Sequence, residues 1–154
     1  VEAVSRNGKL SRDTGIVSFG TNGTPYELQA AQIDIGLDHI DEWQARRKHI
    51  HQYYTDKFKN LPFEIIHPAD YCESNYHKFS ILSKDRNKLL NFLADKGVQA
   101  TLQYTDNFAD YFGSEKQFPN TDRFCKHIIV LPNHAWLTDT EVETVTKCVV
   151  KFYK

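Results

Sequence analysis

From Tyr26 to Leu61 the chain carries no proline and a single glycine, Gly36, and an uninterrupted run of that length points to helix. Pro25 suits the first turn of such a helix, and Thr24 suits its N-cap. Leu28, Ala31, Ile35, Ile40, Trp43, Ile50, Tyr54 and Phe58 recur at spacings that fit one buried stripe, with Gly36 as the place where the stretch can divide into two helices. Arg46, Arg47, Lys48 and Lys57 then face solvent. A helix with so long an apolar stripe needs something to pack against.

Beyond Pro62 the elements shorten. Phe63 to His67 reads as a strand, with Glu64 to His67 its pairing part, and His77 to Leu82 as a second in which Phe79 and Ile81 alternate with Lys78 and Ser80. Asp85 is a fitting N-cap for a helix over Arg86 to Lys96, with Leu89, Leu90 and Leu93 on one face and Gly97 as its stop. Val98 to Tyr104 is the next predicted strand, and a polar, aromatic loop leads from it to Pro119. Asp122 to His127 reads as helix, Ile128 to Leu131 as a short apolar strand, and Thr138 as the cap of a last helix to about Phe152. The fold class is therefore α+β. The four strands are expected to make one small, mainly antiparallel sheet, with the helices over Asp85 to Lys96 and Thr138 to Phe152 on one face and a long helix before it. The organisation expected is a polar lead-in over 1–19, a turn and connecting helix over 20–60, and a small α+β domain over 61–154.

Composition narrows the partners. The chain has 154 residues, 40% of them hydrophobic, and a formal net charge of -1 with Lys and Arg dispersed, which gives no electrostatic attraction to nucleic acid or an anionic membrane. Cys72, Cys125 and Cys148 are three, widely spaced and without a C-x-x-C pair, so neither a disulfide framework nor a thiolate zinc site is suggested, and a reducing, cytoplasmic setting is expected. No apolar run approaches the roughly 20 residues that cross a bilayer, and no signal-peptide pattern opens the chain. It opens at Val1 on polar sequence, as an excised piece of a longer protein would.

Individual residues have mostly structural readings. His49 and His51 are two apart, so on a helix they diverge and cannot share a metal; both are expected at the surface. His77 and His134 lie beside apolar strand ends, where a hydrogen-bonded packing role is expected. Tyr53, Tyr54, Tyr111 and Phe112 read as core or interface aromatics because no basic stripe accompanies them, and Cys125 reads as a buried, inert thiol.

Several short motifs, taken in order, carry more information. Gly20-x-Asn22, Glu27-Leu28-Gln29-Ala30-Ala31, Leu37-x-x-Ile40-Asp41-Glu42 and Arg46-Arg47 are followed by Ser74-x-Tyr76-His77-x-Phe79, Lys96-Gly97-Val98, Leu131-Pro132-x-His134 and Leu137-Thr138-Asp139-x-Glu141-Val142. Together they resemble the DegT/DnrJ/EryC1/StrS family of sugar aminotransferases, collinearly from about Gly20 to the end. The resemblance implies a fold-type-I, pyridoxal-phosphate-dependent enzyme that is homodimeric and cytoplasmic. It would move an amino group, with glutamate as donor, to a keto sugar carried on a nucleotide, in polysaccharide biosynthesis. This chain corresponds to the carboxy-terminal domain and the helix leading into it.

In that family the Schiff-base lysine and the acid that meets the pyridinium nitrogen come from segments before the Gly-x-Asn motif. No matching segment precedes Gly20 here. Lys9 and Lys84 lack the glycine-rich sequel and read as surface lysines, so no catalytic residue is assigned and the chain alone is expected to be inactive. Asn22 matches the asparagine that reaches the partner subunit's cofactor phosphate; from the residues alone it is equally a turn former beside Gly23. Many relatives have a basic residue where Thr24 stands, and Thr24 is either a second cofactor contact or only a helix cap. The loop that faces the sugar in the family often carries histidine and proline. Here it reads Gln103-Tyr104-Thr105-Asp106-Asn107, which nominates Tyr104 and Asn107 for the substrate. The same resemblance covers sugar dehydratases with histidine in place of the lysine. A free-standing, non-catalytic interaction module is the third reading, and the long apolar stripe argues against it.

Overall fold

The computed structural model describes residues 23, 26–111 and 117–154. The chain divides into two compact units, Val1–Ile40 and Asp41–Lys154.

In the first unit the described element is helix α1, Glu27–Asp38. Tyr26 stands at its N-cap, and the Tyr26 backbone N–H donates to Gln29 Oε1 at 3.0 Å. Thr24, the cap expected from sequence, lies two residues earlier and outside the described residues. The helix closes at His39, whose N–H reaches back to the Gly36 carbonyl, so the predicted stretch does divide, three residues beyond its glycine. None of its residues is buried.

Helix α2, Ile40–Phe58, belongs to the second unit from its second residue, Asp41, onward. Ile50, Tyr54 and Phe58 are spaced four apart and buried on one face, as an i, i+4 stripe should be. Strands β1 (Glu64–Ile65), β2 (Phe79–Leu82) and β3 (Ile128–Leu131) form an antiparallel sheet in the order β1-β2-β3. Phe79 pairs with Leu131 and Ile81 with Ile129, which puts four apolar side chains of two strands on the same face. Helix α3, Arg86–Asp95, brings Leu89 and Leu93 to that face, and α6, Asp139–Tyr153, brings Val142, Val145 and Val149. Leu82, Ile128 and Val130 point the other way, where Phe124 of α5, Pro119–His127, packs on them.

The ends follow local chemistry. Gly97 has φ +74°, the left-handed conformation that a glycine adopts without strain after a helix. At α6 the Thr138 N–H donates to Glu141 Oε2 at 2.8 Å while Thr138 Oγ1 accepts from the Glu141 N–H, a reciprocal cap. The Thr138 N–H first, and the Thr138 hydroxyl second, which also donates to Glu141 Oε2 at 2.7 Å, hold the Glu141 carboxyl below its ordinary pKa.

The predicted strand Val98 to Tyr104 is reduced to one bridge, Thr101 with Val130. Thr101 and Val130 exchange both backbone bonds, at 3.0 and 2.9 Å. One step along, the partner on β3's side is Pro132, which has no N–H to give. On the other strand the Ala100 N–H turns back to the Val98 carbonyl, and Tyr104 is left-handed with φ 55°. The strand predicted over His77 to Leu82 is likewise trimmed to β2, because Tyr76, at φ 50°, breaks the extended backbone before it; the one predicted over Glu64 to His67 is trimmed to β1, with the Ile66 N–H still donating to the Ser80 carbonyl at 3.0 Å. No described helix is long and apolar enough to cross a membrane.

Candidate functional site

Two of the four nominated residues, Asn22 and Thr24, lie outside the described residues. The other two sit between the Thr101 bridge and the short helix α4, Phe108–Tyr111. Asn107 is engaged at both ends of its amide: Nδ2 donates to Asp122 Oδ1 at 2.7 Å, and Oδ1 accepts from the Ala109 N–H at 3.1 Å. It pins the loop to α5 and caps α4. Tyr104 is 68% exposed on a left-handed backbone, a conformation that costs a non-glycine residue about 1 to 3 kcal/mol and persists only where the surroundings fix it. The Thr101 bridge upstream and Asn107 downstream supply that fixing. Lys78 Nζ donates to Gln103 Oε1 and lies 5.3 Å from the centre of the Tyr104 ring, within cation–π range.

Tyr76 is the second left-handed tyrosine. Its N–H donates to Ser74 Oγ at 3.0 Å, and the His77 N–H donates to Asn75 Oδ1 at 3.1 Å. The Tyr76 carbonyl accepts from the buried Asn133 Nδ2 at 2.8 Å, and Asn133 Oδ1 is buried without a partner. The Ser74-x-Tyr76-His77 motif is thus a tight loop closed by its own polar side chains.

Against the Tyr76 ring, 5.0 Å away, packs His51, which also meets Phe79 and His67. His51 is buried, contrary to its expected surface place. The loop between β1 and β2 covers it, and nothing in the local helical pattern signals that loop. Burial first, and the neighbouring His67 second, hold its pKa below the ordinary histidine value. His49 is exposed, as expected. His77 and His134 are exposed rather than packed, because β2 starts only at Phe79 and His134 falls in the turn beyond Pro132. Tyr54 is core and Cys125 is buried, as expected; Phe112 and the Tyr111 side chain lie outside what is described. Lys84 is exposed.

Two clefts flank these residues. One, of about 380 Å³, lies between the Gly97–Thr101 segment and α6 and is lined by Gln99, Thr101, His134 and Glu141 among others. The other, of about 600 Å³, is polar and lined by His51, Asp56, His67, Asp70 and Tyr76.

Residues 2–150 match the DegT/DnrJ/EryC1/StrS aminotransferase family. The chain belongs to that family. It is 31% identical over 122 residues to the erythromycin biosynthesis sensory transduction protein EryC1 of Saccharopolyspora erythraea, covering 73% of this chain and 33% of that protein. It is 25% identical over 139 residues to the dTDP-3-amino-3,6-dideoxy-alpha-D-galactopyranose transaminase of Aneurinibacillus thermoaerophilus, covering 86% of this chain and 38% of that one. The fold is that of DesV from S. venezuelae, with a TM-score of 0.90 at 23% identity over 99% of this chain and 43% of that chain. The chain thus spans 33% and 38% of the length of the two curated relatives.

The family implies pyridoxal phosphate, and the described residues do not make a place for it by themselves. Such a place needs a lysine for the carbonyl carbon, an acid for the ring nitrogen and donors for the phosphate. Every described carboxylate is exposed, so none is set in the desolvated position from which it could hold a pyridinium nitrogen protonated. Among the described lysines only Lys78 is not exposed. Sequence reasoning passed over it, because alternation with Phe79 marks it as the polar face of a strand; its contact with Gln103 and Tyr104 joins positions 25 or more residues apart and leaves no local signal.

Proposed function

We propose that this chain is the carboxy-terminal portion of a pyridoxal-phosphate-dependent sugar aminotransferase, acting as a homodimer in the cytoplasm, that transfers an amino group from glutamate to a keto sugar carried on a nucleotide. The observation that carries this reading is the match of nearly the whole chain to an aminotransferase family, alongside a relative named as a dTDP-sugar transaminase. The exposed apolar side chains of α1, Leu28, Ile33, Ile35 and Leu37, support an assembly that covers them.

When bound, pyridoxal phosphate supplies the electron sink. The part given to this chain is binding and orientation. Asn22, with Thr24 beside it, offers a phosphate contact across the dimer. Tyr104 offers an exposed ring face to the substrate, and Asn107 holds the loop that presents it. The lysine and the acid are assigned to the portion of the protein that the curated relatives have beyond the match.

The test uses the complete gene product, a nucleotide-linked keto hexose and glutamate. Formation of 2-oxoglutarate together with an amino sugar is the expected result. Dehydration of the sugar without uptake of nitrogen would assign the dehydratase chemistry instead, and neither reaction would overturn the reading. The chain on its own, incubated with pyridoxal phosphate and reduced with borohydride, is expected to show no stoichiometric label at any single lysine. One fully labelled lysine accompanied by turnover of an amino donor would place the active site within this chain.

A further inference from the structure

Lys78 differs from the other lysines of the second unit, and shares with the half-buried Arg47 and Arg86 the absence of a carboxylate partner among the described residues, those two being bonded to the Asn75 and Cys125 carbonyls. Lys78 is half-buried where the Ser74–His77 loop enters β2, whereas every other described lysine is exposed. Arg46, Lys88, Arg123 and Lys147 are each paired with a carboxylate, Asp139, Asp85, Glu64 and Glu143 respectively. Lys78 has an amide oxygen, Gln103 Oε1, and an aromatic face, Tyr104, and among the described residues no carboxylate pairs with it. An ammonium has three N–H donors, so the bond to Gln103 fixes its position and leaves donors over. A partly desolvated cation whose fixed neighbours are neutral is a receptor for an anion.

Tyr104 supplies the other half. Its backbone is held left-handed, between the Thr101 bridge and the Asn107 anchor, and its ring remains mostly open to solvent with the Lys78 ammonium over it. A strained backbone that presents an aromatic ring to solvent has no packing reason. Stacking on a flat ring of a ligand gives it one.

We propose that Lys78, tethered by Gln103, and Tyr104 form a corner that holds a phosphate group together with the ring of the molecule that carries it. The ammonium meets the phosphate oxygens, and the phenol ring meets the ring of the ligand. The choice of ligands to try rests on the aminotransferase reading, since both the nucleotide end of the sugar substrate and pyridoxal phosphate have this chemistry.

The complete protein is titrated calorimetrically with dTDP, with thymidine and with pyridoxamine 5′-phosphate, as wild type and as Lys78→Met, Lys78→Arg and Tyr104→Ala, with thermal melts confirming the fold. Lys78→Met is expected to weaken either dTDP or pyridoxamine phosphate by about tenfold or more, the loss of one charge-assisted bond, while leaving thymidine unchanged. Lys78→Arg should recover part of the loss, and Tyr104→Ala should weaken the same ligand. A loss confined to dTDP assigns the corner to substrate, and one confined to pyridoxamine phosphate assigns it to cofactor. Should Lys78→Met fail to fold, Gln103→Leu, which releases the tether, is expected to weaken the same ligand by a smaller factor. Equal affinities of wild type and variants for both phosphates would overturn the proposal, as would an equal loss for thymidine. Failure of the aminotransferase reading looks different: phosphate binding would still depend on Lys78 while amino transfer was absent.

Discussion

Helices α1 and α2 continue one apolar periodicity, yet their side chains have opposite fates. In α1, Leu28 is 72% exposed and Ile35 63%, and no residue of the helix is buried. In α2, Ile50 and Tyr54 are fully buried and Phe58 nearly so, at 1%. The difference is not propensity or spacing, which the two helices share. Tyr54 and Phe58 meet Phe79 at ring-centre distances of 5.1 and 6.0 Å, and Phe79 comes from a strand about 20 residues further on. Periodicity therefore says which face seeks cover; only a partner from elsewhere in the sequence decides whether the face has it.

Truncating a side chain in each helix tests that contrast with the largest expected effect. Phe58→Ala should cost about 3 to 5 kcal/mol, the usual range for removing a buried aromatic ring, read as a lower midpoint in urea unfolding of the chain. Ile35→Ala should stay within about 0.5 kcal/mol in the same measurement, as exposed substitutions do. Similar losses at both positions would break the comparison and show that α1 is covered in solution.

The same contrast separates what was legible in the sequence from what was not. Where one local rule is sufficient, the element could be read. Ile128–Leu131 is a four-residue apolar run before a proline and is a strand with all four residues buried. The last helix begins after Thr138 because Thr138 and Glu141 cap each other, and α3 ends before Gly97 because a glycine takes φ +74° without strain. Where the outcome depends on a distant partner, sequence fell short. Val98 to Tyr104 has strand composition, but Pro132, just past β3, has no N–H for the Gln99 end, and the left-handed Tyr104 stops the other end. His51 looks solvent-facing on the helix and is buried by a loop that starts after β1. The site divides the same way. Tyr104 was nominated by resemblance alone, whereas its left-handed backbone and the approach of Lys78 belong to the fold. Asn107 was nominated for substrate, and its amide is occupied holding α4 and α5.

A sharper test sets His51 against His49, two positions apart on α2. His51 has its pKa held below the ordinary 6.5, so the folded state favours the neutral ring. The unfolded chain titrates near the ordinary value and takes up a proton first as the pH falls. The stability contributed by neutral His51 is thus fully present above about pH 6.5 and is lost as the pH drops through that value toward the folded pKa. Asp56 and Asp70 line the same cleft as His51 and His67. Urea unfolding between pH 7.5 and 5 should show this decline in the wild type, a flatter profile in His51→Leu, and the wild-type profile in His49→Ala. If His51→Leu keeps the wild-type slope, the buried ring does not carry the pH dependence.

The smallest effect is expected at Tyr54, and it separates the contribution of an aromatic ring from that of its hydroxyl. The ring is wholly buried, stacked on Phe58 at 5.4 Å with 14° between planes and edge-on to Phe79. Its hydroxyl is buried without a hydrogen-bond partner, and burial raises the phenol pKa well above its ordinary value. The Arg46 guanidinium, whose charge acts against that rise, turns its Nη2 to the Leu137 carbonyl at 2.6 Å and to Asp139 at 2.8 Å. An unsatisfied buried hydroxyl costs about 1 to 3 kcal/mol of desolvation with no compensating bond. Tyr54→Phe removes that oxygen, keeps every ring contact, and leaves a void of only one atom, so its cavity cost is small. The relief of desolvation outweighs that small void, and the variant should be more stable than wild type by up to about 1 kcal/mol, by the same urea midpoints that register the large loss in Phe58→Ala. A loss of more than about 1 kcal/mol on Tyr54→Phe would mean that the hydroxyl is bonded in solution, to water or to a side chain that reaches it.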